Sequence, residues 1–214
     1  MDRAQPFPGF LIAIECIDGA GKTTQANQVR LVLEGRKLKV ILTKEPTTGH
    51  WGQVLRGSAL TGRLSPEEEV EVFIKDRQEH VETQIIPALR AGHIVIVDRY
   101  YFSNMAYQGT RGLPPEEIMR RNEVFAPEPD LLVFIDVDPE TGLERIRTRG
   151  DRANHFEKTD TLKQAREIFL NLQKPYKFTV DGRDHPDDIR DAIVRQFSAL
   201  YTEHMVKCGG ASGR

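Results

Sequence analysis

The chain has 214 residues, of which 39% are hydrophobic and 29% are charged, a composition that excludes a wholly disordered, collagenous or disulfide-based protein. Its 30 lysines and arginines against 32 aspartates and glutamates give a net charge of −2, so bulk charge favours neither nucleic acid nor a membrane as a partner. Two cysteines, and no apolar run near the ~20 residues of a membrane span, predict a soluble cytoplasmic protein. The length predicts one domain over 1–206 and a flexible tail over 207–214.

Short apolar runs alternate along the chain with amphipathic segments. The predicted strands are Phe10 to Ile17, Val40 to Thr43, Ile94 to Val97, Leu131 to Val137 and Phe178 to Val180. The predicted helices are Thr23 to Glu34, Glu67 to Arg90, Pro115 to Phe125, Thr161 to Gln173 and Pro186 to Glu203. Runs that are apolar almost throughout suit strands covered on both faces, so we expect an α/β fold with a five-stranded parallel sheet flanked by helices.

A glycine-rich segment joins the first predicted strand to the first predicted helix, which is the context of a phosphate-binding loop. Its glycines let backbone N–H groups surround phosphate oxygens, Lys22 adds positive charge, and the Thr23 hydroxyl can bind Mg²⁺. The usual loop pattern has glycine where Cys16 stands, which predicts a slower or weaker nucleotide site. The expected ATP-binding residues are Cys16, Ile17, Asp18, Gly19, Ala20, Gly21, Lys22, Thr23 and Thr24.

Two charged side chains follow the third predicted strand. Asp98 and Arg99 stand at its carboxyl end, the edge where open α/β sheets bind ligands. Asp98 could hold a metal ion through water, and Arg99 could grip a phosphate with two hydrogen bonds. The same pair could instead form a structural ion pair, but a phosphate loop on the same edge favours a functional role.

With these motifs the chain resembles the thymidylate kinase family, P-loop enzymes that transfer the γ-phosphoryl group of ATP to dTMP. The matching segments lie between Phe10 and about Tyr176; they are residues 18–25, 43–46, Phe73 with 76–77 and His80, 98–100, Ser103 with 106–109, and 145–152. The resemblance implies a P-loop nucleoside-monophosphate-kinase fold with a short lid over about 145–160. It also implies ATP as co-substrate, Mg²⁺ as cofactor and a homodimer.

The resemblance further implies which residues bind the acceptor. Phe73 would stack on thymine, and Asn104 or Gln108 would hydrogen-bond the base edge. Arg77 and Arg99 would hold the dTMP phosphate. The remaining expected substrate-binding residues are Asp18 at the sugar 3′-hydroxyl, Tyr107 near the sugar, and Lys44, Glu45, Arg56 and Ser103.

Four arginines follow the fourth predicted strand within eight residues, at positions 145, 147, 149 and 152. A basic run is usually a solvated face, but in nucleotide kinases such a segment closes over ATP and stabilises the transferring phosphoryl group. We expect Arg149 and Arg152 to act there, together with Lys22 and Arg99 as the catalytic set. A kinase for another deoxynucleoside monophosphate, or a nucleotide-binding sensor without transfer, remains as an alternative.

Overall fold

A five-stranded parallel sheet forms the centre of the protein, which the computed structural model describes over residues 7–148 and 155–209. The strands are β1 (Phe10–Glu15), β2 (Val40–Lys44), β3 (Ile94–Asp98), β4 (Leu131–Asp136) and β5 (Lys177–Asp181). Their order across the sheet is β2-β3-β1-β4-β5, and every neighbouring pair is parallel. The predicted parallel sheet is confirmed.

Burial of the strands follows their apolar sequences. Every side chain of β1 and β3 is buried, and β4 is buried except at Asp136. The edge strands β2 and β5 are mostly half-buried. Central parallel strands are covered by helices on both faces, which explains why these runs lack the polar alternation of a half-exposed strand.

Helices connect the strands and cover the sheet. They are α1 (Lys22–Gly35), α2 (His50–Thr61), α3 (Pro66–His80), α4 (Ile86–Arg90), α5 (Tyr101–Gly109), α6 (Pro115–Glu123), α7 (Pro139–Thr148), α8 (His155–Asn171) and α9 (Pro186–Gly209), with a π-helical segment, Val81–Ile85, between α3 and α4. The start of α3 has a capping box, in which the Ser65 hydroxyl accepts a hydrogen bond from the Glu68 amide and the Glu68 carboxylate accepts one from the Ser65 amide. The sequence did not predict α2, α5 or α7.

The last helix extends further than the sequence suggested. A flexible tail was expected from residue 207, but α9 continues through Cys208 to Gly209. The Cys208 thiol contacts the carbonyl oxygen of Phe7 at 3.3 Å, which ties the end of this helix to the start of the described chain. Among the helices that the structure describes, none combines the length and apolar character needed to cross a bilayer.

The strand order brings three loops together at the carboxyl edge of the sheet. β1 lies between β3 and β4, and Ile14 of β1 is in register with Asp98 of β3. From β1 the chain passes through α1 to β2, on the far side of β3, whereas from β3 it passes through α5 and α6 to β4, on the far side of β1. Such a switch point opens a crevice outside the carboxyl ends of the strands, where α/β proteins bind ligands.

Candidate active site

The loop after β1 has the backbone conformation of a phosphate cradle. Gly19 and Gly21 have φ angles of 86° and 94°, values that side chains with a Cβ rarely adopt. The chain then enters α1 at Lys22, so the helix amino end points into the loop. Cys16 has no positive φ, and therefore the absent glycine is not required for this path.

The start of α7 packs directly against this loop. A Cβ on Gly19 would lie 2.0 Å from the carbonyl oxygen of Gly142, and a Cβ on Gly142 would lie 2.6 Å from the carbonyl oxygen of Asp18. Both positions therefore need glycine. This backbone contact fixes the helix that leads toward the predicted lid against the predicted phosphate site.

The side chain of Lys22 rests against Cys16. Its ammonium group donates a hydrogen bond of 3.3 Å to the Cys16 sulfur, and both side chains are buried. Burial raises the pKa of the Cys16 thiol, while the Lys22 charge opposes that rise, so the sulfur is a neutral acceptor here. The thiol thus lies against the loop lysine, at the position where the usual pattern has glycine.

Thr23 and Asp98 meet at the mouth of the loop. The Thr23 hydroxyl donates a hydrogen bond of 2.6 Å to Asp98 Oδ2, which joins α1 to the end of β3. The other carboxylate oxygen, Asp98 Oδ1, is buried and has no hydrogen-bond partner within the described residues. A hydroxyl beside a carboxylate oxygen with spare capacity is a donor set that suits Mg²⁺, which keeps several of its own waters.

Arg99 adopts a strained backbone conformation and faces the loop. Its φ of 70° is unusual for a residue other than glycine, and such outliers cluster at functional sites. The guanidinium forms an ion pair with Asp18, donates a 2.9 Å hydrogen bond to the Ser103 hydroxyl and lies 5.3 Å from the centre of the Tyr107 ring. These contacts bring four predicted acceptor-site residues together.

Glu15, at the end of β1, holds the start of α5 beside Arg99, and the sequence did not predict it as a site residue. Its carboxylate accepts hydrogen bonds from the amides of Tyr100 (2.7 Å) and Ser103 (3.1 Å) and from the Ser103 hydroxyl (2.5 Å), so it caps α5. Burial raises its pKa to about 7, against the lowering effect of these hydrogen bonds. A carboxylate ending an apolar strand just before the loop was the available signal.

An open cleft of about 300 Å³ lies between the loop and the carboxyl ends of β2 and β3. Its lining residues are Asp18, Gly19, Gly21, Lys22, Thr23, Thr24, Lys44, Glu45, Asp98 and Arg99. All ten are residues that the sequence predicted for ATP, acceptor or metal binding. The structure therefore gathers much of the predicted site around one cavity.

Arg77 lies outside this lining, in a buried cluster. Its guanidinium donates to Glu45 Oε2 through Nε at 2.7 Å, forms an ion pair with the same oxygen through Nη2 at 2.6 Å, and also donates to the side chain of Asn122. His80 contacts the other Glu45 oxygen at 3.0 Å and the Thr43 hydroxyl at 2.8 Å. Only about 1% of Arg77 is exposed, so its contact with the acceptor stays a prediction.

Arg56 lies near the same loop and binds backbone. It donates a 3.0 Å hydrogen bond to the carbonyl oxygen of Pro46 and another to that of Thr47. The neighbouring Asp76 carboxylate accepts from the Thr47 amide at 2.8 Å and from its hydroxyl at 2.6 Å. Both contacts hold the segment that follows Glu45, whereas Arg56 itself does not line the cleft, so its contact with the acceptor stays a prediction.

The predicted base-binding residues lie on two adjacent helices. Phe73 is half-buried on α3, and Asn104 and Gln108 are buried one turn apart on α5. Gln108 hydrogen-bonds Asn104 and also Glu69, which precedes Phe73 by one turn of α3. Glu69 was not predicted as a site residue, because its contact with Gln108 depends on how α3 packs against α5.

Comparison with known proteins agrees with this geometry. A family model described as thymidylate kinase matches residues 14–193. The chain belongs to the thymidylate kinase family. The thymidylate kinase of Xanthomonas euvesicatoria pv. vesicatoria is 55% identical over 192 residues, covering 90% of this chain and 83% of the relative. That of Xylella fastidiosa (strain M23) is 50% identical over 186 residues, covering 87% and 85%. The predicted family and P-loop kinase fold are confirmed.

The predicted lid of this thymidylate kinase family member begins on α7. Arg145 donates a 2.9 Å hydrogen bond to the carbonyl oxygen of Gly182, and Arg147 forms an exposed ion pair with Glu144. Arg149 and Arg152, the two predicted catalytic arginines of the lid, lie outside the described residues. Their roles stay predictions, although α7 is held against the phosphate loop through Gly142.

Proposed function

We propose that this protein phosphorylates dTMP to dTDP with ATP, by direct in-line transfer of the γ-phosphoryl group. One observation carries the proposal: in a member of the thymidylate kinase family, a phosphate loop and an arginine clamp line the same cleft. Lys22 lies on the loop side of the cleft and Arg99 on the β3 side. ATP on the loop and an acceptor phosphate on Arg99 would therefore approach each other within one cavity.

The chain supplies position and charge rather than a general base. A nucleoside monophosphate is already largely ionised at neutral pH, so no side chain has to remove a proton before its oxygen attacks. Lys22 and the amino end of α1 stabilise negative charge on the ATP phosphates. Arg149 and Arg152 are proposed to add charge when the lid over about 145–160 closes and excludes water.

Mg²⁺ is the proposed cofactor, held by Thr23 and by Asp98 through water. The orphaned, buried Asp98 Oδ1 supports this choice, because such an oxygen can accept a hydrogen bond from a metal-bound water. When bound beside Thr23 and Asp98, Mg²⁺ would neutralise negative charge on the phosphates.

The acceptor side of the cleft is proposed to recognise a deoxynucleotide. Arg99 would hold the phosphate, while Asp18, now paired with Arg99, would receive the 3′-hydroxyl. Tyr107 accepts a 3.0 Å hydrogen bond from the Asp18 amide, so its ring lies where it could disfavour a 2′-hydroxyl. Phe73 would stack on the thymine.

We also propose a cytoplasmic homodimer. The two cysteines are free thiols, as expected in a reducing compartment. Val124, directly after α6, is 78% exposed, and an apolar side chain of this kind could pack against a second copy. Light scattering after size-exclusion chromatography would report the mass, and a monomer at micromolar concentration would refute the dimer.

An acceptor panel tests the activity. Purified protein with ATP and Mg²⁺ is offered dTMP, dUMP, dGMP, dCMP, dAMP, UMP and thymidine separately, and ADP release is measured. We expect dTMP to give the highest kcat/KM. Preference for another monophosphate would indicate a kinase for that acceptor, whereas ATP binding without transfer to any acceptor would indicate a nucleotide sensor.

A further inference from the structure

Three buried polar side chains form a hydrogen-bonded chain between α3 and α5 that the transfer reaction does not require. Asn104 Nδ2 donates to Gln108 Oε1 at 2.6 Å, and Gln108 Nε2 donates to Glu69 Oε2 at 2.8 Å. The last atom of this chain, Asn104 Oδ1, is buried and has no hydrogen-bond partner among the described residues. A buried polar atom of this kind calls for a partner, which a bound ligand can provide.

Glu69 sets the donor-to-acceptor direction of both hydrogen bonds in this chain of side chains. Burial by itself raises the pKa of Glu69, but hydrogen bonds from Arg63 and Gln108 and the nearby guanidinium charges outweigh it and hold the pKa below its usual value. The ionised carboxylate can only accept hydrogen bonds. Gln108 must therefore turn its amide nitrogen toward Glu69 and its oxygen toward Asn104.

The same reasoning fixes the next side chain. Because the Gln108 oxygen can only accept, Asn104 must present its own amide nitrogen to it. The Asn104 oxygen is then left as the outer end of the chain. Without an anchor such as Glu69, either end of this amide could face outward, since its oxygen and nitrogen are close in size.

Two contacts show how α3 and α5 are paired. Glu69 meets Gln108 near the start of α3 and the end of α5. Arg77, two turns further along α3, has its guanidinium 5.7 Å from the ring centre of Tyr100, the residue that precedes α5. The two helices therefore run antiparallel where they touch.

Phe73 and Asn104 lie midway between these contacts. Each is four residues, about 6 Å of helix, from the contact at either side, so we place them opposite each other. Phe73 is the residue proposed to stack on the base. The free oxygen of Asn104 is thus near the edge of a base stacked on Phe73.

We propose that Glu69 is a positioning residue for base selection: through Gln108 it holds Asn104 so that a hydrogen-bond acceptor faces the pyrimidine. This inference rests on the proposed function. Thymine and uracil carry an N–H at ring position 3 and can donate to this oxygen. Cytosine has a bare lone pair at that position, so it meets the oxygen acceptor to acceptor and is rejected.

Glu69→Gln tests the assignment, because glutamine both donates and accepts and no longer sets the direction. We expect the ratio of kcat/KM for dTMP to that for dCMP to fall by about tenfold or more, as polar discrimination is lost. The ratio for dTMP to dUMP should stay unchanged, since both bases carry the N–H. A general loosening of the site would move both ratios.

Arg63→Gln is the matched control. Arg63 donates to the Glu69 carboxylate at 3.0 and 3.1 Å, but its side chain is 54% exposed and it makes no link of the Gln108 chain. The Arg63 variant should keep both ratios. If it changed the dTMP to dCMP ratio as much as Glu69→Gln does, the effect would come from the ion pair, and the assignment would be wrong.

A double variant, E69Q/N104D, provides a rescue. The aspartate introduced on α5 can only accept, so Gln108 turns its nitrogen toward that carboxylate and its oxygen toward the glutamine introduced on α3. An acceptor again faces the base, and discrimination against dCMP should return. If E69Q does not fold, Gln108→Leu decides by the same ratio, because it cuts the chain while keeping the ion pairs of Glu69.

The outcomes distinguish a failure of this inference from a failure of the proposed function. A wild type without activity on dTMP would overturn both. The wild type could instead be active on dTMP while E69Q, or Gln108→Leu in its place, keeps the dTMP to dCMP ratio. That result would overturn the role of Glu69 alone. Absence of rescue in a folded double variant would likewise refute the proposed direction of the chain.

Discussion

The Lys22 ammonium lies 3.3 Å from the sulfur of Cys16, so the loop lysine is held by the very residue that replaces the usual glycine. An ammonium that binds ATP phosphates must leave this contact or share it. The contact therefore competes with nucleotide, even though Cys16 leaves the loop backbone in its ordinary path.

Cys16→Gly should accordingly strengthen ATP binding. Loss of one hydrogen bond of about 1 kcal/mol from the nucleotide-free state predicts a Kd lower by up to about tenfold. Isothermal titration calorimetry with ATP measures the change. Cys208→Ala, which alters the other thiol at the far end of α9, should leave the Kd as it is. An unchanged Kd for Cys16→Gly would show that the contact has no energetic weight.

Lys22→Ala should lower kcat by about a hundredfold or more while the chain stays folded. The lysine is the loop's own positive charge at the phosphates, and removing one such group in a closed site costs rates of this order. Initial rates with dTMP measure the loss, and circular dichroism checks the fold. Lys39→Ala, at the opposite edge of the sheet, should retain full activity. Near-normal turnover of folded Lys22→Ala would refute the role.

Glu45→Gln should destabilise the fold. The substitution leaves the buried Arg77 guanidinium without its counter-charge, and breaking such a pair costs about 3–5 kcal/mol. Urea unfolding measures the change. Glu71→Gln breaks the exposed ion pair with Arg121 and should cost less than about 1 kcal/mol. Equal effects of the two substitutions would mean that the Glu45 cluster adds no stability.

Glu15→Gln should remove a pH dependence of stability. The pKa of Glu15 is raised from 4.5 to about 7, so between these values the folded state holds a proton that the unfolded chain releases. Its contribution is present below about pH 4.5 and is lost as the pH rises through about 7.

Urea unfolding from about pH 5 to about pH 8 measures this dependence. Wild type should lose stability relative to Glu15→Gln by up to a few kcal/mol over that range. The exposed substitution Glu82→Gln provides the control and should run parallel to wild type. A wild-type curve parallel to that of Glu15→Gln would contradict the expectation.

The sheet could be predicted because its information is local. β1, β3 and β4 are apolar almost throughout, which marks covered parallel strands. Helix α5 was missed for another reason: it is short and seven of its nine residues are buried, including the polar Ser103, Asn104 and Gln108, so its polar side chains face the interior and not solvent. Tertiary packing, rather than a local pattern, defines that helix.

The site could likewise be predicted only where its residues form a local motif. The loop at 16–24 and the Asp98-Arg99 pair are contiguous motifs whose chemistry shows in the sequence. Glu15 and Glu69 act on residues far away in the chain, through α5. Arg77 shows a second limit of prediction from sequence. Its positive charge suggested a contact with the acceptor phosphate, but its burial against Glu45 depends on tertiary packing.

Product identification tests the central claim most directly. The protein is incubated with ATP labelled at the γ-phosphate, Mg²⁺ and dTMP, and the labelled products are separated. The account predicts label in dTDP, formed one-to-one with ADP. Label found only in inorganic phosphate, or no label transferred from ATP that the protein demonstrably binds, would contradict it.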